Sequence, residues 1–375
     1  MEKMTNRNIG LDLIRSMAII MVLISHSRGI FHSDTSILGE GMWRLSICGF
    51  YGVELFFVLS GFLIGRILIK MLASEEITDY KGIWLFLRKF WVRRWFRTIP
   101  LYLLMLVVNC LLFCFISWVE NLKSIPLWRY FFFLQNYNPV TLGFFPESWS
   151  LSVEEWFYLI VPIILAVAYK SLRNVPFAIT MVVILVMFMR IIYVLYVGNE
   201  NLAWDSDIRK NTFLRLDSLG IGMMFAYVFS RKESIFRLFF SGKSLFFGLL
   251  GIGLNMLLYV NTKEFIDTLY AKTVLFDITS ISWGLVMCYA YNLKIKHKFG
   301  GVVSFLSKIS YSVYLIHLPI VVYIANYTLG IDSMFYRCVI CGCAWIIIFT
   351  LSFLLYKYYE YPVMTLRDKI WITRE

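Results

Sequence analysis

Ten stretches of apolar residues, each close to membrane-spanning length, recur along this chain of 375 residues. They fall at about 9–31, 48–72, 99–118, 149–169, 175–197, 212–229, 244–261, 273–292, 303–328 and 334–356. A helix needs about 20 apolar residues to cross the hydrocarbon core. Lipid offers the backbone no hydrogen bonds, so each run must satisfy its own as a helix. Composition agrees: 59% of residues are hydrophobic and 16% charged, against about 45–50% and about 25% in a soluble domain. The expected fold is all-α, a polytopic membrane helix bundle of about ten transmembrane helices. Without repeats or linkers, it forms a single membrane domain over 1–375. The short apolar segment 127–137 reads as interfacial or re-entrant. No cleavable signal peptide follows the first run, which is expected to stay as a helix.

The formal charge of +12 would raise nucleic acid as a partner for a soluble protein. Here its distribution gives another reason. Ten spans put both termini on one side. The segments on that side carry 21 Lys and Arg; those on the other carry 7. Positive residues concentrate on the cytoplasmic face, so both termini are expected there, in a bacterial inner membrane, and no nucleic-acid partner is needed. The richest segment is the cytoplasmic loop 73–98, where Arg88, Lys89, Arg93, Arg94 and Arg97 interleave with Trp84, Trp91 and Trp95. It reads either as an interfacial helix whose cations reach lipid headgroups or as a grip for polyphosphate. A short cytoplasmic tail, 357–375, closes the chain. The seven cysteines form no secreted-type framework. Cys338, Cys341 and Cys343 lie in one span without a nearby His and read as packing rather than as a metal cluster.

Charged and polar residues are costly in a membrane, so those inside spans carry the functional information. Span 1 holds Asp12, Arg15 and His26. Asp12 and Arg15 are three residues apart and can pair on one helix face. Arg15 and His26 are eleven apart, three turns plus about 20°, so they share a face about 16 Å apart along the axis. Span 2 carries Glu54 in its outer half, with Ser60 and Gly61 reading as a close helix-packing device. Span 4 opens Ser148-Trp149-Ser150-Leu151-Ser152-Val153-Glu154-Glu155. Ser150 can cap that helix, and Glu154, four residues on, faces the same way. Span 6 opens with Arg215 and Asp217, a pair able to neutralise itself. Span 9 places His317 near mid-membrane, before Pro319. Glu360, at the close of span 10, is placed to meet the basic loop.

At these residues the sequence resembles the acyltransferase-3 family of membrane acyltransferases. The resemblance rests on Arg15 and His26 as Arg-x10-His and on the Phe56–Phe62 segment. It continues through Arg94 and Arg97 followed by Pro100 and Tyr102, then Trp149–Glu154, Arg215–Asp217 and Ser310–His317. It implies transfer of an acyl group, most often acetyl from acetyl-CoA, onto a hydroxyl of a carbohydrate acceptor such as surface or lipid-linked glycan of O-antigen or capsule type. No permanently bound cofactor is implied. The extracytoplasmic hydrolase-like domain of some members is expected to be absent.

On this reading Arg93, Arg94, Arg97 and Tyr102 contact the acyl-CoA, with Arg15 orienting the thioester. His26 deprotonates the acceptor hydroxyl or carries the acyl group itself, and His317 shares the catalytic site. Glu154 orients His26 or a sugar hydroxyl. Glu54, Ser150, Arg215 and Asp217 contact the acceptor. The alternative is a transporter or flippase of glycan or lipid precursors, because intramembrane charges on several helices also mark substrate paths. No inverted repeat supports it.

Overall fold

The computed structural model describes residues 7–31, 44–74, 79–116, 126–137, 144–172, 174–231, 239, 241–261, 264–294, 297–328, 330–331 and 333–372. Ten long helices follow the ten apolar runs. They are α1 (Ile9–Ser27), α2 (Ile47–Ser74), α3 (Tyr80–Ile116), α4 (Trp149–Leu172), α5 (Val175–Val197), α6 (Leu216–Arg231), α7 (Gly242–Asn261), α8 (Leu275–Tyr291), α9 (His297–Tyr327) and α10 (Met334–Leu355). No strand occurs among the described residues. The chain is a polytopic helical membrane protein, and among the described residues eight helical segments are long and apolar enough to cross a bilayer. The helices α6 and α8 have 16 and 17 residues. At about 1.5 Å per residue they fall short of a core about 30 Å thick. Both begin beside buried carboxylates, described below, where the chain departs from the plain apolar pattern.

Three boundaries differ from the sequence reading. The segment 73–98 is not a loop over most of its length: Tyr80 starts α3, which runs through the basic residues into the third apolar run and tolerates Pro100 inside it. Likewise a π-helical turn, Tyr356–Glu360, follows α10 directly and leads into α11 (Tyr361–Ile372), so the tail is largely helical. Segment 127–137 forms one short helix, Leu127–Phe131, and a turn. Residues 75–78 of the expected loop, 117–118 of the third span and 373–375 of the tail lie outside the described residues.

The chain divides into two compact units. The first comprises Met1–Val53, Arg93–Glu120 and Ile295–Glu375; the second comprises Glu54–Val92 and Asn121–Lys294. In the first, α9 packs along α1 and against α10. Close approach of α1 to the start of α2 is permitted by Gly49 and Gly52: a Cβ on Gly52 would lie 2.8 Å from the Ala18 carbonyl. In the second, α7 packs on α8, α5 on α6, and α4 on both α5 and α6. There α2 crosses α6 with backbones nearly touching. A Cβ on Gly61 would overlap the Leu219 carbonyl, and one on Gly222 would overlap that of Val58. Small residues supply tight packing where no hydrophobic driving force separates lipid from helix.

Candidate functional site

In the first unit α1 and α9 bring two histidines together. His26 Nδ1 and His317 Nε2 are 2.7 Å apart, with the rings stacked at 4.9 Å. His317 is fully buried. Its Nδ1 lies 2.7 Å from the Tyr314 carbonyl and 3.1 Å from that of Val313. Carbonyls only accept, so the proton of a neutral His317 belongs on Nδ1, and its Nε2 is then an acceptor. It follows that His26 donates from Nδ1. In a neutral His26 the basic lone pair is therefore on Nε2. The partners thus fix both tautomers in a fixed order from backbone carbonyl to ring to ring.

About 16 Å down α1 from His26, the same unit gathers cations. Arg15 feels the charges of Arg97, Asp12, Arg7 and Arg94, and Glu360 feels those of Arg97 and Arg15. Asp12 is held by Arg7 at 3.0 Å and by the Ser307 hydroxyl at 2.7 Å. It is thus Arg7, and not Arg15, that pairs with Asp12. Arg15 keeps one long hydrogen bond, 3.4 Å, to Ser307. Glu360 is buried in the π-helical turn and accepts from Ser312 at 2.9 Å. Four guanidiniums and two carboxylates leave this cluster with an excess of positive charge, suited to a phosphate or carboxylate ligand. Arg93 and Arg97 are exposed and Arg94 half-buried. Tyr102, expected at the cofactor, is 1% exposed.

The second unit holds the other expected residues. Ser60 donates to Glu154 Oε1 at 2.8 Å, so Ser60 is a hydrogen-bond donor where the Ser-Gly step suggested packing; Gly61 alone has that role. Ser150 lies inside α4, not at its cap, because the chain turns helical from Pro146. Glu54 binds Arg215 at 2.5 Å and accepts from Ser218 at 2.9 Å and, more weakly, from Ser280 at 3.4 Å. Arg215 and Asp217 are 4.0 Å apart at their nearest ionic atoms. Asp217 pairs with Arg190, whose other terminal nitrogen binds Asp277 at 2.5 Å. The guanidiniums of Arg190 and Arg215 lie 5.0 and 3.8 Å from the ring centroid of Phe276. Glu54, Arg190, Arg215 and Asp217 have no exposed surface. Glu54, Arg215 and Asp217, expected to contact the acceptor, lie in an internal ion network joining α2, α5, α6 and α8.

The sequence reading missed Arg190 and Asp277, although the rule that flagged Arg15 applies equally to them. It also missed Arg7, five residues before its partner Asp12, and Ser307 and Ser312, which have no signal in spacing because Asp12 and Glu360 lie far away in the chain.

The acyltransferase-3 family model, described as an acyltransferase domain, matches residues 8–365. The chain belongs to the acyltransferase-3 family. Among curated relatives of this family member are two proteins named O-acetyltransferase OatA. The peptidoglycan O-acetyltransferase OatA of Listeria monocytogenes is 28% identical over 243 residues, which is 60% of this chain and 35% of the relative. The O-acetyltransferase OatA of Staphylococcus aureus is 25% identical over 338 residues, 85% of this chain and 51% of the relative. A putative peptidoglycan O-acetyltransferase, YrhL of Bacillus subtilis, is 28% identical over 186 residues, 44% of this chain and 25% of that protein. This acyltransferase-3 chain therefore spans about half or less of the length of these relatives. No solved structure matches it.

Proposed function

We propose that the chain is a membrane O-acyltransferase that moves an acyl group, in the simplest case acetyl, from acyl-CoA to a hydroxyl of a cell-envelope glycan. Family membership supports the reaction class. The observation that carries the reading is the His26–His317 pair, set about 16 Å along one helix from the Arg7–Arg15–Arg94–Arg97 cluster. That distance is on the order of an extended pantetheine arm, judged by chain reach. Phosphates of the donor rest on Arg94 and Arg97, with Arg15 nearer the thioester, and the thioester carbon lies by His26. The donor enters from the cytoplasm, where both termini lie, and the acceptor arrives from the opposite face. The names of the relatives add peptidoglycan to O-antigen and capsule as acceptor classes.

His26 Nε2 takes the hydroxyl proton as the acceptor oxygen attacks the thioester carbon. The C–S bond then breaks, and the CoA sulfur leaves with that proton. Between the two steps His26 is an imidazolium, and its Nδ1–H points at His317 Nε2, a neutral acceptor that spreads the charge. An acyl-His26 intermediate uses the same nitrogen, with the acceptor attacking second.

The test uses purified protein with acetyl-CoA carrying a labelled acetyl group and a cell-envelope glycan fraction. Label is expected in the glycan with the wild-type protein, and none with His26→Ala. Arg94→Ala is expected to raise the KM for acetyl-CoA more than it lowers kcat. A full rate from His26→Ala, or an unchanged KM in Arg94→Ala, overturns the corresponding assignment.

A further inference from the structure

The first unit has a cleft that the transfer chemistry does not use. It holds about 550 Å³ between α3, α9 and α10, with walls from Leu104 and Val108, from Ile316 and Pro319, and from Leu351 and Leu354. A proline inside a helix removes one backbone hydrogen bond and kinks the helix. Two of these helices carry one, Pro100 in α3 and Pro319 in α9, which gives the gap between them a cause. Tyr359, at the end of the cleft in the π-helical turn Tyr356–Glu360, donates to the Pro100 carbonyl at 3.2 Å. The cleft is open to a ligand from the side: its inner residues Met105 and Ile316 are 5% exposed, whereas Leu351 and Leu354 are 43% and 42% exposed. His317 points at His26 on α1. Ile316 is about 100° round the helix from it and lines the cleft, which therefore lies on another side of α9 from the histidine pair.

Its size fits one lipid chain. The α3 wall runs from Leu104 to Leu112, about 12 Å at 1.5 Å per residue, and one leaflet's share of the hydrocarbon core is about 15 Å. At about 30 Å³ for a group the size of a water molecule, the volume has room for a chain of roughly 18 carbons. Apart from two tyrosines, the lining is aliphatic. Those tyrosines, Tyr358 and Tyr359, stand together at the end next to α11. Tyr358 is 67% exposed, as suits a ring at the level of the headgroups. The Lys357 ammonium lies 5.0 Å from the centroid of that ring, and Lys357 pairs with no carboxylate among the described residues. Glu360, the acid of the same turn, is buried and accepts from Ser312. The exposed charge at this end of the cleft is thus positive. Lipid tails are as apolar as the walls, so shape and contact hold the chain, and preference among lipids comes from the headgroup.

We infer that this cleft is a lipid site that seats one acyl chain of an anionic phospholipid, with the phosphate at Lys357. The lipid comes from the leaflet on the side of α11, the cytoplasmic one in the proposed orientation. Other occupants fit less well. A polyprenyl tail outruns a cleft one leaflet deep. The acyl chain of a donor begins at a thioester beside His26, on another side of α9. The site does not depend on the reaction proposed for His26.

The experiment uses the full chain in phosphatidylcholine nanodiscs that contain phosphatidylglycerol with a photoreactive diazirine in its acyl chain. Labelled residues are mapped by peptide mass spectrometry. Unlabelled phosphatidylglycerol, phosphatidylcholine, a polyprenyl phosphate and palmitoyl-CoA are added as competitors at equal mole fraction. Labelling is expected to saturate and to fall on Leu104–Leu112 and Leu351–Tyr359. Phosphatidylglycerol is expected to displace the probe about five-fold better than phosphatidylcholine, the scale for one basic residue at a membrane surface, and Lys357→Gln to abolish that preference. Leu354→Trp fills the cleft from its lipid-facing wall and is expected to cut the labelling there several-fold. Ile346→Trp, on the same helix and 67% exposed outside the cleft, is expected to leave it unchanged. Labelling that spreads over the exposed helix faces without saturating overturns the site, as does unchanged labelling in Leu354→Trp. Equal displacement by the two phospholipids, or an undiminished preference in Lys357→Gln, overturns the headgroup assignment. Stronger displacement by the polyprenyl phosphate or by palmitoyl-CoA overturns the phospholipid as occupant.

Discussion

His317 commits Nδ1 to backbone carbonyls and Nε2 to His26, so in the proposed reaction its part is to orient and polarise a neighbour. A side chain that accepts in the same place retains part of that role. His317→Gln is expected to keep a measurable fraction of the transfer rate, while His317→Ala loses about 10²-fold or more, the usual scale for acid–base catalysis. Steady-state kcat on labelled acetyl-CoA separates the two; equal loss in both variants would contradict an orienting role. The spacing of Arg15 and His26 was legible in the sequence because both lie on one helix. Their partners were not. Asp12 and Arg15 share a face, yet Asp12 binds Arg7 and Ser307, and Ser307 lies 295 residues away in sequence from Asp12.

Each long helix was visible as an apolar run because lipid imposes the length, whereas the crossings between helices depend on single atoms. Gly61 and Gly222 let α2 and α6 meet backbone to backbone. Gly61→Val is expected to force that crossing apart and lower the thermal midpoint in detergent. Gly253, with open space at its Cβ, supplies the control: Gly253→Ala is expected to leave the midpoint unchanged or higher, since Gly is a poor helix former. The ion network shows the other limit of sequence reading. Arg215 and Asp217 look like mutual partners at spacing two, and they do pair at 4.0 Å, but Glu54 and Arg190 are their closer partners. Arg190→Leu removes the nearest cation from the buried carboxylates of Asp217 and Asp277 and is expected to cost about 3–5 kcal/mol. Glu54→Gln keeps acceptors for Ser218 and costs less. Thermal unfolding in detergent checks both, and a neutral Arg190→Leu would deny the network its structural role.

For the whole molecule, the sequence supplied the architecture and an orientation, with 21 cations against 7 across the two sets of loops. Orientation predicts that a cysteine at Asn199 in a cysteine-free background reacts with an impermeant maleimide on intact cells, whereas one at Lys369 reacts only after lysis. The reverse pattern would invert the entry sides of donor and acceptor. The central claim is that His26 moves the acceptor proton during acyl transfer. Its most direct measurement is transfer of label from acetyl-CoA to glycan hydroxyls by purified wild-type protein and His26→Ala, with folding compared by thermal midpoint. Label in the glycan with the wild type, and none above background with a folded His26→Ala protein, is the predicted result. Equal labelling by the two proteins would contradict it.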